Sequence, residues 1–125
     1  KLQLGNVLAC RDWSHAKDTV KAIVLIANNN LPKDYIVATG ETHTIKDFLD
    51  ECYKCGQELI GIRLPVEVED LYEINSKWFR PNEVKYLKGN ACKLKEDFGW
   101  KPTISFKELV SEMMASDYQN ELSKI

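Results

Sequence analysis

The chain has 125 residues, 44% of them hydrophobic and 29% charged, with a net charge of −2. That length supports one small domain with a real core, and the composition is that of a soluble globular protein. The charge lacks the basic footprint of a nucleic-acid binder, and no apolar run approaches the ~20 residues needed to span a bilayer.

The opening stretch, KLQLGNVLAC, has neither an initiator Met nor a signal-peptide core and reads as the middle of a longer protein. Within it LQLGNV alternates weakly, which predicts a short strand ending at Gly5. A helix is predicted over residues 14–29, with Ser14 as N-cap and Ala16, Val20, Ile23, Val24 and Ala27 along one face. YIVAT, residues 35–39, is a β-branched run bounded by Asp34 and Gly40, the pattern of a buried parallel strand. Thr44 and Asp47 resemble a capping box. Behind them Ile45, Phe48, Leu49, Cys52 and Tyr53 predict an amphipathic helix stopped by Gly56.

LIGIRL, residues 59–64, reads as another strand, while the acidic run 65–76 carries no clear period. ACKLKEDF predicts a short helix capped by Asn90 and ended by Gly99. Ser105 and Glu108 form a full capping box, and Phe106, Leu109, Val110, Met113 and Met114 give the last helix its apolar stripe. The order of elements is that of an α/β protein. Its few strands make a sheet too small to be complete, so the missing part is expected on the N-terminal side.

Cys52 and Cys55 form a C-x-x-C, but Cys10, Cys92, His15 and His43 are scattered and supply no second ligand pair. The pair also sits at a predicted helix end, where no dipole lowers a thiol pKa. Four reduced thiols of a cytosolic protein is the preferred reading, with no metal site.

Two polar clusters remain. Arg11 and Asp12, in RDWSHAKD, stand between a strand and a helix, the edge where open α/β sheets bind ligands. Their structural alternative is a local ion pair worth little. His15 reads as a capping or solvated group, and Asp18 with Lys21 as an ordinary exposed pair. The second cluster, WFRPNEV at 78–84, puts two aromatics, Arg80, a proline and Glu83 where an ordinary loop would use small turn formers. Arg80 offers a planar donor fork for phosphate or carboxylate, and Glu83 is three residues away. There is no G-x-G-x-x-G, no tyrosine with Lys four positions later, and no triad spacing. The residues describe a binding surface without a reaction centre, so no catalytic or cofactor-binding residue is assigned.

The blocks RDWSHAKD, ATGETH and FRPNEV, with LKGNACKLKEDFGWKP behind them, resemble the C-terminal part of GDP-mannose 4,6-dehydratases, of the extended short-chain dehydrogenase/reductase superfamily. The resemblance covers nearly the whole chain and is weakest over 59–77. It implies the end of a Rossmann sheet plus the smaller α/β substrate-binding domain, with residues 1–125 as the nucleotide-sugar-binding portion and the N-terminal NADP-binding part absent. It implies conversion of GDP-mannose to GDP-4-keto-6-deoxymannose with loss of water, using bound NADP, in a cytoplasmic homodimer or homotetramer that binds neither nucleic acid nor membrane. This chain alone is then expected to be inactive.

By the same resemblance Arg11 and Arg80 face the diphosphate, Glu83 meets nucleotide hydroxyls, and Asn6, beside Gly5, lies at a strand end close to the nucleotide. Leu8, Cys10 and Thr19 depart from the residues common at those positions, and the segment before Trp78 is shorter than in many relatives. The competing readings are a related nucleotide-sugar epimerase, or a stand-alone nucleotide-sugar binding module without catalysis.

Overall fold

The computed structural model describes residues 1–30 and 32–124. In chain order these form β1 (Leu2–Leu4), β2 (Cys10–Arg11), α1 (Ala16–Ala27), β3 (His43–Thr44), α2 (Ile45–Ile60), β4 (Tyr72–Ile74), α3 (Cys92–Phe98) and α4 (Phe106–Leu122), with 3-10 turns at Val68–Asp70 and Ser76–Trp78. β1 pairs in parallel with β4, Leu2 opposite Tyr72 and Leu4 opposite Ile74. β2 pairs antiparallel with β3, Cys10 opposite Thr44 and Arg11 opposite His43. The acidic run without a period thus supplies the partner of the first strand.

Local signals placed most helix ends. The Thr44–Asp47 and Ser105–Glu108 capping boxes both close, each side chain serving the other residue's backbone N–H. Gly99 ends α3 in the left-handed conformation, and Asn90 accepts from the Cys92 amide at its start. At α1 the cap is His15 rather than Ser14: the His15 ring nitrogen Nδ1 accepts from the Lys17 amide at 3.0 Å, while the Ser14 hydroxyl is engaged with Thr19.

Three expectations fail for tertiary reasons. Gly56 does not stop α2, which continues to Ile60 and is ended by left-handed Gly61. A Cβ on Gly56 would lie 3.5 Å from the Met114 methyl, so this glycine marks the packing of α2 on α4 instead. LIGIRL is consequently the end of that helix and its turn. YIVAT runs beside residue 89 without a ladder partner among the described residues, so it is not a strand: a β-branched run becomes one only when a neighbouring strand takes its N–H and C=O groups.

One core gathers Ala22, Leu94 and Trp100, with Ile26, Tyr35, Val37, Ala91 and Phe98 packed around it. A second contact layer joins α2 and α4, where Cys55 and Val110 are buried. The apolar face of α1 lies largely open. Val20, Ile23 and Val24 are each more than half exposed, at 56%, 55% and 52%, whereas Asp18 is 1% exposed.

Asp18 is therefore no surface pair with Lys21. Its carboxylate accepts from the Thr103 amide (2.7 Å), the Thr103 hydroxyl (2.7 Å), the Ile104 amide (2.9 Å) and Lys21 (3.2 Å). The indole N–H of Trp100 donates to its backbone carbonyl at 3.1 Å. Burial by itself raises the Asp18 pKa, but the bonds from Thr103, Ile104 and Lys21 outweigh it and hold the carboxyl far below its ordinary value of 3.8. A depressed folded-state pKa means stability that is complete above that ordinary value and lost as pH falls below it. Asp18→Asn, which turns an amide N–H towards these donors, is expected to cost about 2–4 kcal/mol at pH 7. Calorimetric melts at pH 7 and below pH 4 should show a smaller acid-induced fall in Tm for the variant than for the native protein. Equal falls would show that Asp18 carries none of the acid sensitivity.

Candidate functional site

The stretch 78–87 has no regular structure of its own and is fastened at several points to residues 5–11. At its start Gly5 lies against Trp78: a Cβ on Gly5 would fall 2.5 Å from the Trp78 carbonyl oxygen, so only glycine permits the approach. At its end the Cys10 amide donates to the Lys85 carbonyl (2.8 Å) and the Leu87 amide donates to the Cys10 carbonyl (3.1 Å). Between them the Arg11 guanidinium donates to the Val84 carbonyl (2.7 Å), to the Cys10 carbonyl (2.8 Å) and to the Glu83 carboxylate (3.1 Å).

Arg80 and Glu83 are the two ends of one tight turn, closed by the Glu83 amide on the Arg80 carbonyl at 3.3 Å. Pro81 occupies the second position of that turn, where its fixed φ is preorganised. The turn brings the backbones of the arginine and the acid close together. Their surroundings differ. Glu83 is 19% exposed and anchored by Arg11, which is itself 27% exposed. Arg80 is exposed and, among the described residues, has no side-chain hydrogen bond or ion pair. Trp78 and Phe79 flank it, 55% and 47% exposed, a large apolar surface for a loop.

Of the four residues expected to bind substrate, Arg11, Arg80 and Glu83 are thus brought to one loop. Asn6 is connected to them only through its neighbour Gly5. Its side-chain oxygen accepts from the Leu8 amide at 3.0 Å, which turns the chain out of β1. Arg11 and Asp12 are not the local ion pair that their adjacency suggested, since each faces a different segment. The Asp12 carboxylate accepts from the Thr39 amide (2.9 Å), the Thr39 hydroxyl (2.6 Å), the Gly40 amide (2.9 Å) and the Gly89 amide (3.1 Å). Burial alone raises its pKa, yet the Thr39, Gly40 and Gly89 bonds win and leave the carboxyl below its ordinary value, an anion at neutral pH. Spacing gave no hint of these partners. The one available signal was an acid at a strand-to-helix junction upstream of a Thr-Gly turn.

No group of three or more His, Cys, Asp or Glu side chains among the described residues is placed to hold a metal ion. Cys52 and Cys55 lie in the middle of α2; burial and the neighbouring Cys55, Glu51 and Asp117 push the Cys52 thiol up to about 11, away from thiolate reactivity. His15 caps α1 and also faces Glu112 at 3.2 Å. Trp13 packs against Phe48 and Phe106, with ring centroids 5.3 and 5.8 Å away, and Phe106 stacks on His43. These aromatics form a structural cluster.

The Gly5 contact has a measurable consequence. Gly5→Ala forces the Trp78 backbone to move and is expected to destabilise by about 1–3 kcal/mol, as overpacking does. Gly40→Ala meets nothing within 4 Å and pays only for its φ of 81°, about 1 kcal/mol. Hydrogen exchange should show faster exchange over residues 78–87 in Gly5→Ala alone. Identical exchange in both variants would remove Gly5 as a fastening point of the loop.

Comparison with known proteins gives the family context. The family model described as GDP-mannose 4,6 dehydratase matches residues 1–113. GDP-mannose 4,6 dehydratase 1 of Arabidopsis thaliana is 44% identical over 119 residues, covering 95% of this chain and 31% of the relative. The chain spans about a third of the length of the curated relatives it matches. Among solved structures, dTDP-glucose 4,6-dehydratase of Bacillus anthracis, in complex with NAD, superimposes with a TM-score of 0.76 at 23% identity, covering 97% of this chain and 35% of that one. RMD from Pseudomonas aeruginosa, complexed with NADPH, gives a TM-score of 0.69 at 19% identity, covering 96% and 36%. These structural likenesses show a shared fold, that of part of an extended short-chain dehydrogenase/reductase.

Proposed function

The chain belongs to the GDP-mannose 4,6-dehydratase family, and from that premise we propose that it is the substrate-binding part of an enzyme converting GDP-mannose to GDP-4-keto-6-deoxymannose with loss of water. The observation that carries this reading is the division of labour in the 78–87 loop. Arg11 and Glu83 are locked together, while the Arg80 fork stands free on the same turn. A diphosphate needs a planar, bidentate cationic donor held in place, and Arg80 on a proline-stiffened turn is that donor. Glu83 keeps acceptor capacity beyond its bond to Arg11 and suits the hydroxyls of a ribose. Arg11 adds positive charge beside the same ligand, and Asn6 shapes the chain next to it.

A tightly bound NADP would supply the hydride chemistry, a reading supported by the NADPH and NAD complexes of the structural relatives. Among the described residues no glycine-rich loop is built to cradle its phosphates. The three glycines with positive φ, Gly40, Gly61 and Gly99, are single turn and helix-end residues, and they build no phosphate cradle. The residues here bind and orient the nucleotide sugar, and we assign them no step of hydride or proton transfer. Among the described residues no helix is long and apolar enough to cross a membrane.

In the full-length protein Arg80→Lys replaces a fork by a point donor and is expected to weaken GDP and GDP-mannose alike, by roughly ten- to a hundredfold (~1.5–3 kcal/mol), with NADP affinity intact. Glu83→Gln keeps an acceptor for both Arg11 and a hydroxyl, so its loss should be smaller. Calorimetric titration of GDP and of NADP against each variant tests this. Unchanged GDP affinity in Arg80→Lys would take this arginine out of the site, and with it the observation on which the reading rests.

A further inference from the structure

Resting on that reading, we propose that Asp12 is a positioning residue for nucleotide recognition: by gathering Thr39, Gly40 and Gly89 it sets where the loop bearing Arg80 and Glu83 stands. Three observations lead there. First, Asp12 follows Arg11 directly, and the two side chains diverge: Arg11 grips the loop at residues 83 and 84, Asp12 grips its exit at Gly89. Second, one carboxylate oxygen accepts from both Gly40 and Gly89, so the loop exit and the 39–40 turn are tied to a single atom. The other oxygen takes both donors of Thr39. Third, the packing beneath leaves no slack. A Cβ on Gly89 would lie 2.0 Å from the Ala38 Cβ, so residue 89 lies directly on the chain leading into Thr39.

Among the described residues the Asp12 carboxylate makes no hydrogen bond to residues 78–87. Its effect on a ligand must pass through the backbone between Gly89 and Glu83, the same stretch that Cys10 and Arg11 hold from the other side. A carboxylate is required. Asparagine has the same shape but one acceptor oxygen, so whichever way it turns, its NH2 faces either Gly40 and Gly89 or Thr39, and backbone donors lose their partner. A loop released at its exit no longer presents Arg80 preorganised, and the ordering cost moves to the binding step.

The test is a double-mutant cycle in the full-length protein, with GDP affinity as its readout. Asp12→Asn is expected to raise the Kd for GDP and the KM for GDP-mannose about tenfold, leaving NADP affinity unchanged and kcat altered by less than the change in KM. In an Arg80→Lys background the same substitution should cost clearly less, about two- to threefold, because the donor fork is gone and chiefly Glu83 remains to be positioned. Thr39→Val, which removes the hydroxyl that donates to Asp12 and accepts from the Glu41 amide, should move GDP affinity in the same direction by about two- to threefold, and it serves if Asp12→Asn does not fold. A lower Tm or kcat with unchanged GDP affinity would make Asp12 a plain scaffold residue and overturn the proposal. An equal tenfold loss in both backgrounds would also overturn it. Failure of the unaltered full-length protein to bind GDP would instead refute the functional reading itself, and the proposal would fall with it.

Discussion

The candidate site depends on what three successive residues do at the junction between the first strands and the first helix. Cys10 offers its backbone to Lys85 and Leu87, Arg11 its guanidinium to Glu83 and Val84, and Asp12 its carboxylate to Thr39, Gly40 and Gly89. An extended backbone sends neighbouring side chains to opposite sides, so one short segment can hold separate stretches at once. Without it the 78–89 segment would keep only the close approach at Gly5 and the preceding three-residue strand β4 to align it, and pairing so short is marginal on its own.

The same arrangement explains why a loop rather than a helix or strand carries the free arginine. Ordering a loop costs of order 1–2 kcal/mol per residue, and a loop left mobile would meet that cost each time a ligand bound. Here the backbone bonds of Cys10, the Arg11 contacts and the close approach at Gly5 meet it during folding. What stays without a partner among the described residues is the Arg80 side chain, the group that must meet the ligand. Glu83 shows the complement. Its charge is partly withdrawn from water, but Arg11 supplies a charge-assisted bond, so the acid keeps its place without giving up all of its acceptor sites.

Features decided within one turn of chain were legible in the sequence. Both capping boxes and the Gly99 stop stand where the sequence predicts them, and Asn90 bonds the first turn of α3 although Ala91 takes the cap position, because these partners lie two to four residues away. The loop chemistry was legible too, since Trp, Phe, Arg and Pro have no reason to crowd a plain turn. Features decided by distant partners were not. Gly56 reads as a stop until Met114 is seen beside it, and YIVAT reads as a strand although nothing among the described residues pairs with it. On α1 the period found the apolar face, but nothing in it showed that Asp18 is buried. Ala22 and Asp18 point inward, while Val20, Ile23 and Val24 face out of a chain that spans a third of its relatives.

The least legible residues, Asp12 and Asp18, share one physical role. Each is a carboxylate at the start of the same helix region, and each accepts from two or three backbone amides and a threonine hydroxyl belonging to segments far away in sequence. Backbone groups withdrawn from water must find partners, and a chain with few ladder bonds must find them elsewhere. A carboxylate suits this need because its two oxygens accept about four bonds and it remains an anion as long as those donors outweigh its burial. Asp18 fixes the entry to α4 through Thr103 and Ile104, and Asp12 fixes the exit of the ligand-reading loop. The irregular segments are therefore ordered by side-chain charge where a sheet would have used strands. That is why single aspartates, which the sequence offers as ordinary ion-pair partners, decide the geometry of both the core edge and the candidate site.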